Sequence, residues 1–184
     1  MRVIGGNARG RHLKVPRGQT LRPTAARVKE ALFNILPHDL SGTKVLDLFA
    51  GTGNLSIEAL SRGAAAATLV DRSAASGKAI QENLYRLGLN DRTRLWIMPV
   101  SRALRLLGRR GETFDLIFLD PPYDCDWIGR TARLIGQGGL LQRSGVLIAE
   151  HSRREKVEPM YDSLALYDQR RYGGTLLSFF QQQV

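Results

Sequence analysis

Apolar residues recur at helical spacing from Thr24 to Leu36: Val28, Ala31, Leu32, Ile35 and Leu36 share one face, and Thr24 stands where a cap belongs. From residue 44 onward the pattern alternates. Short apolar runs predict strands over 44–49, 66–71, 93–98, 114–119 and 145–150. Amphipathic stretches between them predict helices over 54–62, 73–87, 100–108 and 126–135. Such alternation implies a parallel sheet with helices on both faces. The chain ends differently. Segments 164–171 and 175–181 read as strands, and Tyr172-Gly173-Gly174 is too short for a crossover, so this pair must be antiparallel. Residues 1–15 hold two short β-like pieces around Gly5-Gly6 and Gly10, which suggests a hairpin arm. The fold class is therefore α/β: a mostly parallel seven-stranded sheet with a C-terminal antiparallel hairpin, preceded by a hairpin and helix extension.

A chain of 184 residues suits one domain with a substantial core. We divide it into an extension, 1–36, and a core, 37–184. The net charge of +10 is concentrated in the extension, where Arg2, Arg9, Arg11, Lys14, Arg17, Arg22, Arg27 and Lys29 face one acid, Glu30. Cations clustered in a glycine-rich segment suit the phosphates of a polyanion, the alternative being a solvated basic face. A single cysteine, Cys125, excludes a disulfide framework and reads as packing. His12, His38 and His151 have no ligand spacing, so no metal is expected. No apolar run approaches the length of a membrane span, and glycines and charge follow Arg2 where a secretory signal would be apolar. A cytoplasmic location is the expectation.

Three strand ends carry candidate chemistry. Asp120-Pro121-Pro122-Tyr123 follows the apolar run 114–119. A carboxylate and a proline-fixed backbone carbonyl can accept both N–H bonds of an exocyclic amine, while the tyrosine ring stacks on the face of a flat base. The bland reading is an ordinary Pro-Pro turn. Upstream, Lys44 to Ser56 reads as strand, glycine turn and helix start. Gly51 and Gly53 allow positive φ and close approach of a ligand, with helix N–H groups over the same spot. The dinucleotide fingerprint would place a third glycine where Ser56 stands, which argues against a nicotinamide cofactor. Asp47, inside that strand, suits a cationic or amino-bearing ligand. Asp71 ends the next strand, where acids bond ribose hydroxyls; its alternative is a helix cap, a role that Ser73 could fill. Trp96 and Trp127 both read as core or pocket wall, and of the two Trp127 is the candidate to line the base site. Asp124 and Asp126 read as pocket rim, the alternative being a cap for the next helix.

Val45 to Ser56 resembles the S-adenosylmethionine loop of class I methyltransferases, and Asp120-Pro121-Pro122-Tyr123 resembles the signature of enzymes that methylate nucleobase amines. The opening run Met1 to Arg11, Leu21-Arg22-Pro23-Thr24 and Arg27 to Leu36 are more specific. Together they resemble the bacterial family that methylates guanine N2 in 16S ribosomal RNA, over essentially the whole chain. Ala25-Ala26 stand where that family usually has a polar pair with an acid, and Pro99 stands where an Asp or Asn often meets the adenine. The resemblance implies S-adenosyl-L-methionine as cofactor, S-adenosyl-L-homocysteine as product, and action on 16S rRNA in an assembling or assembled 30S subunit; the oligomeric state stays open, a monomer being the expectation. It makes Asp120, Pro121, Pro122 and Tyr123 catalytic. It assigns the cofactor to Asp47, Phe49, Ala50, Gly51, Thr52, Gly53, Asn54, Asp71, Arg72, Pro99 and Val100, with a backbone carbonyl holding the adenine. RNA falls to Arg9, Arg11, Lys14, Arg22 and Arg27. Two other readings stay open: an adenine-N6 methyltransferase on RNA or DNA, and a non-catalytic ribosome assembly factor.

Overall fold

A computed structural model describes residues 1–15, 23–123 and 125–183. Arg17 and Arg22 therefore lie outside the described residues, as does Asp124. Helix α1 spans Pro23–Ile35, so Thr24 sits inside it rather than capping it. The strands are β1 (Lys44–Leu48), β2 (Ala66–Asp71), β3 (Thr93–Ile97), β4 (Phe114–Leu119), β5 (Leu141–Ser152), β6 (Met160–Tyr161), β7 (Leu164–Tyr172) and β8 (Thr175–Gln182). Between them run α2 (Asn54–Ser61), α3 (Ala74–Leu87), α4 (Val100–Arg109) and α5 (Trp127–Gln137). The sheet order is β3-β2-β1-β4-β5-β8-β7-β6, with β1 to β5 parallel and the last three strands antiparallel.

The sheet has eight strands rather than the expected seven. Met160–Tyr161 adds two residues at the edge by pairing with Leu164 and Ala165, too short a strand to leave a periodic signal. β5 also starts earlier than expected, because a bulge between Phe114 and Leu116 lets Leu141 pair before Val146 takes up the ladder.

The period-2 alternation of the strands divides the core. Val45, Leu69 and Phe118 pack with Val28, Leu32, Phe33, Ile57 and Ile80 on the face covered by α1, α2 and α3. Leu46, Leu48, Ile117 and Leu119 pack with Leu104, Leu107, Ile128 and Ile135 on the face of α4 and α5.

Residues 1–15 are not a free arm. An antiparallel bridge between Arg2 and His12, with backbone hydrogen bonds from Val3 N to Arg11 O, Gly10 N to Val3 O and Leu13 N to Met1 O, joins their two halves as the expected small hairpin, but its apolar residues do not stand off the core. Val3 and Leu13 are instead buried in the core, and the backbone is fastened to α2. Ile4 and Gly5 donate their N–H groups to Glu58 at 2.9 and 2.7 Å, and Ala8 donates to Ser61 Oγ at 2.8 Å. Lys29 Nζ completes the knot, donating to the Arg2 carbonyl, to Asn54 Oδ1 and to Glu58. Burial pulls the Lys29 ammonium below its ordinary range, and the Glu58 charge offsets part of that. Gly6 shows how close the fit is: a Cβ there would stand 1.8 Å from the Ser61 carbonyl oxygen.

Candidate active site

The carboxyl ends of the parallel strands open into a cavity of about 900 Å³, at the upper end of the ~300–1,000 Å³ range for small-molecule pockets. β1 delivers Phe49 and Gly51, β2 delivers Asp71 and Arg72, and the start of α4 delivers Pro99, Val100 and Ser101. β4 delivers Asp120, Pro121, Pro122 and Tyr123; β5 delivers Glu150 and Ser152; β8 delivers Thr175, with Gly174 before it. Trp127 closes one side, its ring 5.6 Å from that of Phe49. The sheet therefore brings the strand-end Asp-Pro-Pro-Tyr, the glycine turn and the second acid into one space.

Asp71 organises the turn. Its Oδ2 accepts the Gly51 N–H and its Oδ1 accepts the Ser73 N–H, both at 2.8 Å, while Ser73 itself caps α3 by accepting from Ser76. The turn is tight: Gly51 has φ 59° and Gly53, at the N-cap of α2, has φ 75°. Phe49 also takes positive φ, 63°, a conformation that costs a non-glycine residue about 1–3 kcal/mol. Its ring is thereby turned into the cavity and onto Trp127.

Several residues expected to touch the cofactor face elsewhere. Asp47 follows Leu46 by one residue, so the pleat directs it to the α2 side of the sheet. There it is 2 % exposed and accepts from Ser56 N and Ser56 Oγ, at 3.2 and 2.8 Å. Burial raises its pKa to about 7, against the lowering effect of the Ser56 bonds. Asn54 turns toward Lys29, and Ala50, Thr52 and Gly53 form the far side of the turn rather than the cavity wall. Pro99 does line the cavity, but its carbonyl accepts from Arg102 and Ala103 at the start of α4, so it is not the acceptor for an adenine amine. Ser101, the neighbouring hydroxyl on the cavity wall, gave no sequence signal.

Two further residues were not legible beforehand. Tyr123 donates its phenol proton to Glu150 Oε1 at 2.9 Å and lies 3.2 Å from Thr175 Oγ1, which can donate in return. Burial, reinforced by the Glu150 charge, pushes the phenol far above its ordinary pKa, so it stays protonated. Ala149 pairs with Leu119, which places Glu150 beside Asp120 at the next step of the parallel ladder. Of the N-terminal cations, Arg9, Arg11 and Arg27 are exposed, and Arg11 donates to the Arg86 carbonyl. Lys14 is ion-paired with Glu82.

A doubly wound sheet with a glycine turn, a second acid and a strand-end Asp-Pro-Pro-Tyr around one cavity defines a class I methyltransferase. Residues 1–181 match the family described as Conserved hypothetical protein 95, and the chain belongs to that family. It is 36% identical over 183 residues to a Bacillus subtilis protein described as putative rRNA methyltransferase YlbH, covering all of both chains. It is 32% identical to the Escherichia coli ribosomal RNA small subunit methyltransferase D, covering all of this chain and 90% of that one. The solved structure described as putative methyltransferase yhhF from Escherichia coli superposes with a TM-score of 0.84 at 32% identity, over 100% of this chain and 98% of the other. No described helix is long and apolar enough to cross a membrane.

Proposed function

We propose that this protein methylates the exocyclic N2 amine of a guanine in 16S ribosomal RNA, using S-adenosyl-L-methionine, on an assembling or assembled 30S subunit. The observation that carries this reading is that Asp120-Pro121-Pro122-Tyr123 shares one cavity with the Gly51 turn and Asp71. The wall residues fit the cofactor. Asp71 offers carboxylate lone pairs beyond those used by Gly51 and Ser73, suited to ribose hydroxyls. Pro99 and Val100 offer an apolar wall for an adenine, with the Ser101 hydroxyl and the first N–H groups of α4 as polar contacts. When bound, S-adenosyl-L-methionine supplies a methyl group already activated by its sulfonium.

The remaining chemistry belongs to the protein. The N2 lone pair of guanine is delocalised into the ring and is a poor nucleophile. Asp120 and the Pro121 carbonyl accept the two N–H bonds and favour a pyramidal nitrogen. Their acceptance strengthens as positive charge develops there, so it lowers the barrier rather than only binding the base. Asp120 needs no raised basicity, because the methylated amine releases its proton readily afterwards. Tyr123, held by Glu150 and Thr175, presents a fixed ring for stacking in the cavity that Phe49 and Trp127 also line. A guanine inside a helix cannot enter this cavity, so the target is unpaired or flipped.

The test is methyl transfer from labelled cofactor to unmodified 16S rRNA and to 30S particles, followed by mass spectrometry of the nucleosides. N2-methylguanosine is expected. N6-methyladenosine in its place would assign the cavity to adenine, and no incorporation into any RNA would leave an assembly factor.

A further inference from the structure

The loop after β5 and the β7–β8 turn enclose a second cleft, of about 590 Å³, next to the active-site cavity. Ser152 and Gly174 line both spaces, so the cleft opens off the cavity's rim. Its cationic wall is Arg153, Arg154 and Arg171, all three exposed. The backbone around them is tied down. Arg153 N donates to the Gly174 carbonyl at 3.0 Å, which joins the loop to the hairpin turn, and Arg154 N donates to Ser152 Oγ at 3.2 Å. Arg171 Nε donates to the Gly173 carbonyl at 3.1 Å, which sets the direction of its guanidinium.

These three cations differ from their neighbour. Arg170 pairs with Asp168 at 2.8 Å, whereas no described carboxylate forms an ion pair with Arg153, Arg154 or Arg171. Three like charges around one concavity repel each other, and Glu155, the acid next to Arg154 in the same turn, forms no ion pair with any of them. Such an arrangement suits an anion presenting several oxygens, which planar guanidinium groups bind in bidentate fashion.

We propose that this cleft binds backbone phosphates of the RNA strand on one side of the target nucleotide. The inference rests on the methyltransferase reading above. A nucleotide extruded into the cavity leaves its flanking phosphates at the rim, and the rim at Ser152 and Gly174 is where the cleft begins. The grip is independent of sequence, since phosphates carry no base identity. It also lies toward β8 and β7, whereas Arg11 and Lys14 lie over α3 beside β2 and β3. The strand is held on the opposite side of the cavity from the N-terminal cations.

The experiment is filter binding of unmodified 16S rRNA across a salt series, with wild type, Arg154→Ala/Arg171→Ala and Arg154→Lys/Arg171→Lys. Calorimetry with S-adenosyl-L-homocysteine serves as the folding control, and labelled methyl transfer is run in parallel. The alanine pair is expected to bind the cofactor product normally, to bind RNA more weakly and to lower the log–log salt slope by about 1.4 to 2, as when two phosphates are no longer neutralised. KM for RNA should rise several-fold with kcat little changed, and the lysine pair should recover most of the slope. Should the alanine pair fail the folding control, Arg153→Gln and Arg154→Gln, both in the exposed loop, repeat the measurement, each removing a single cation from the cleft. An unchanged affinity and slope in a folded variant overturns the cleft assignment. Absence of methyl transfer by the wild type would instead overturn the enzymatic reading, and the salt slopes would still decide the cleft.

Discussion

Three aspartates of this chain stand near one strand edge and do three different things. Asp120 lines the cavity and, in the proposed reading, accepts from the substrate amine, so Asp120→Ala should leave cofactor affinity nearly unchanged and lower turnover by at least about a hundredfold, as when one charge-stabilising group is lost. Turnover within a few-fold of wild type would remove Asp120 from the chemistry. Asp71 bonds the Gly51 and Ser73 amides from the cavity wall, so Asp71→Ala disorders the turn as well as removing an acceptor. Cofactor binding should weaken by about 1–3 kcal/mol, read by calorimetry. Asp47 is structural and carries a pH signature. It holds its proton up to about pH 7 in the folded chain, but only to about pH 4 when unfolded. The folded state thus binds the extra proton between these values, and stability falls as pH rises from about 4 to about 7. Asp47→Asn removes that dependence. Its stability relative to wild type should increase from pH 5 to pH 7 by up to about 1.4 kcal/mol per unit and level off above, measured by urea unfolding. A difference independent of pH would mean that Asp47 is ionised throughout.

At the scale of elements, the joint between the N-terminal segment and α2 is decisive. Glu58 is fully buried and carries the Ile4 and Gly5 amides, Lys29 and Arg62 at once. Deleting residues 1–15 therefore strips two donors from a buried carboxylate and one acceptor from a buried ammonium, and exposes the core where Val3 and Leu13 pack. The ion pairs of Glu58 remain, but each buried polar group left without its partner costs about 1–3 kcal/mol. We expect the truncated chain to unfold at a clearly lower urea midpoint and to lose cofactor binding with it, since Lys29 also holds Asn54 at the start of α2. The expectation that the N-terminal hairpin is an arm standing off the core is thereby corrected, while the RNA-binding reading of its exposed cations is unaffected. An unchanged midpoint would restore the free arm. The turn that α2 follows is equally constrained. Gly53 combines φ 75° with a Cβ position 3.1 Å from Leu69 Cδ2, so Gly53→Ala should destabilise the fold by about 1–3 kcal/mol.

At the scale of the whole molecule, the cavity collects residues from β1, β2, β4, β5, β8 and the starts of α3, α4 and α5, so one ligand braces most of the sheet's carboxyl edge. S-adenosyl-L-homocysteine at 100 times its Kd should add about 2.7 kcal/mol to the unfolding free energy, a rise in Tm of about 5–10 °C for a chain of this length. The amino-acid sequence by itself determined what depends on neighbours in the chain. Helical and strand periods set the elements, and Asp120-Pro121-Pro122-Tyr123, Gly51 and Asp71 were legible because each is a short motif at a strand end, where a doubly wound sheet puts its ligand. The tertiary structure decided what depends on sheet order and on facing. Asp47 turned away from the cavity because the pleat of β1 sends it toward α2, a face that composition does not reveal. Glu150 met Tyr123 because β5 pairs parallel with β4, Thr175 met it because β8 pairs antiparallel with β5, and Ser101 reached the wall only through the position of α4. The N-terminal cations read as an arm, since charge and glycine are local properties. Their backbone is docked on Glu58 and Ser61, more than fifty residues away in the chain, through hydrogen bonds that exist only once α2 is folded.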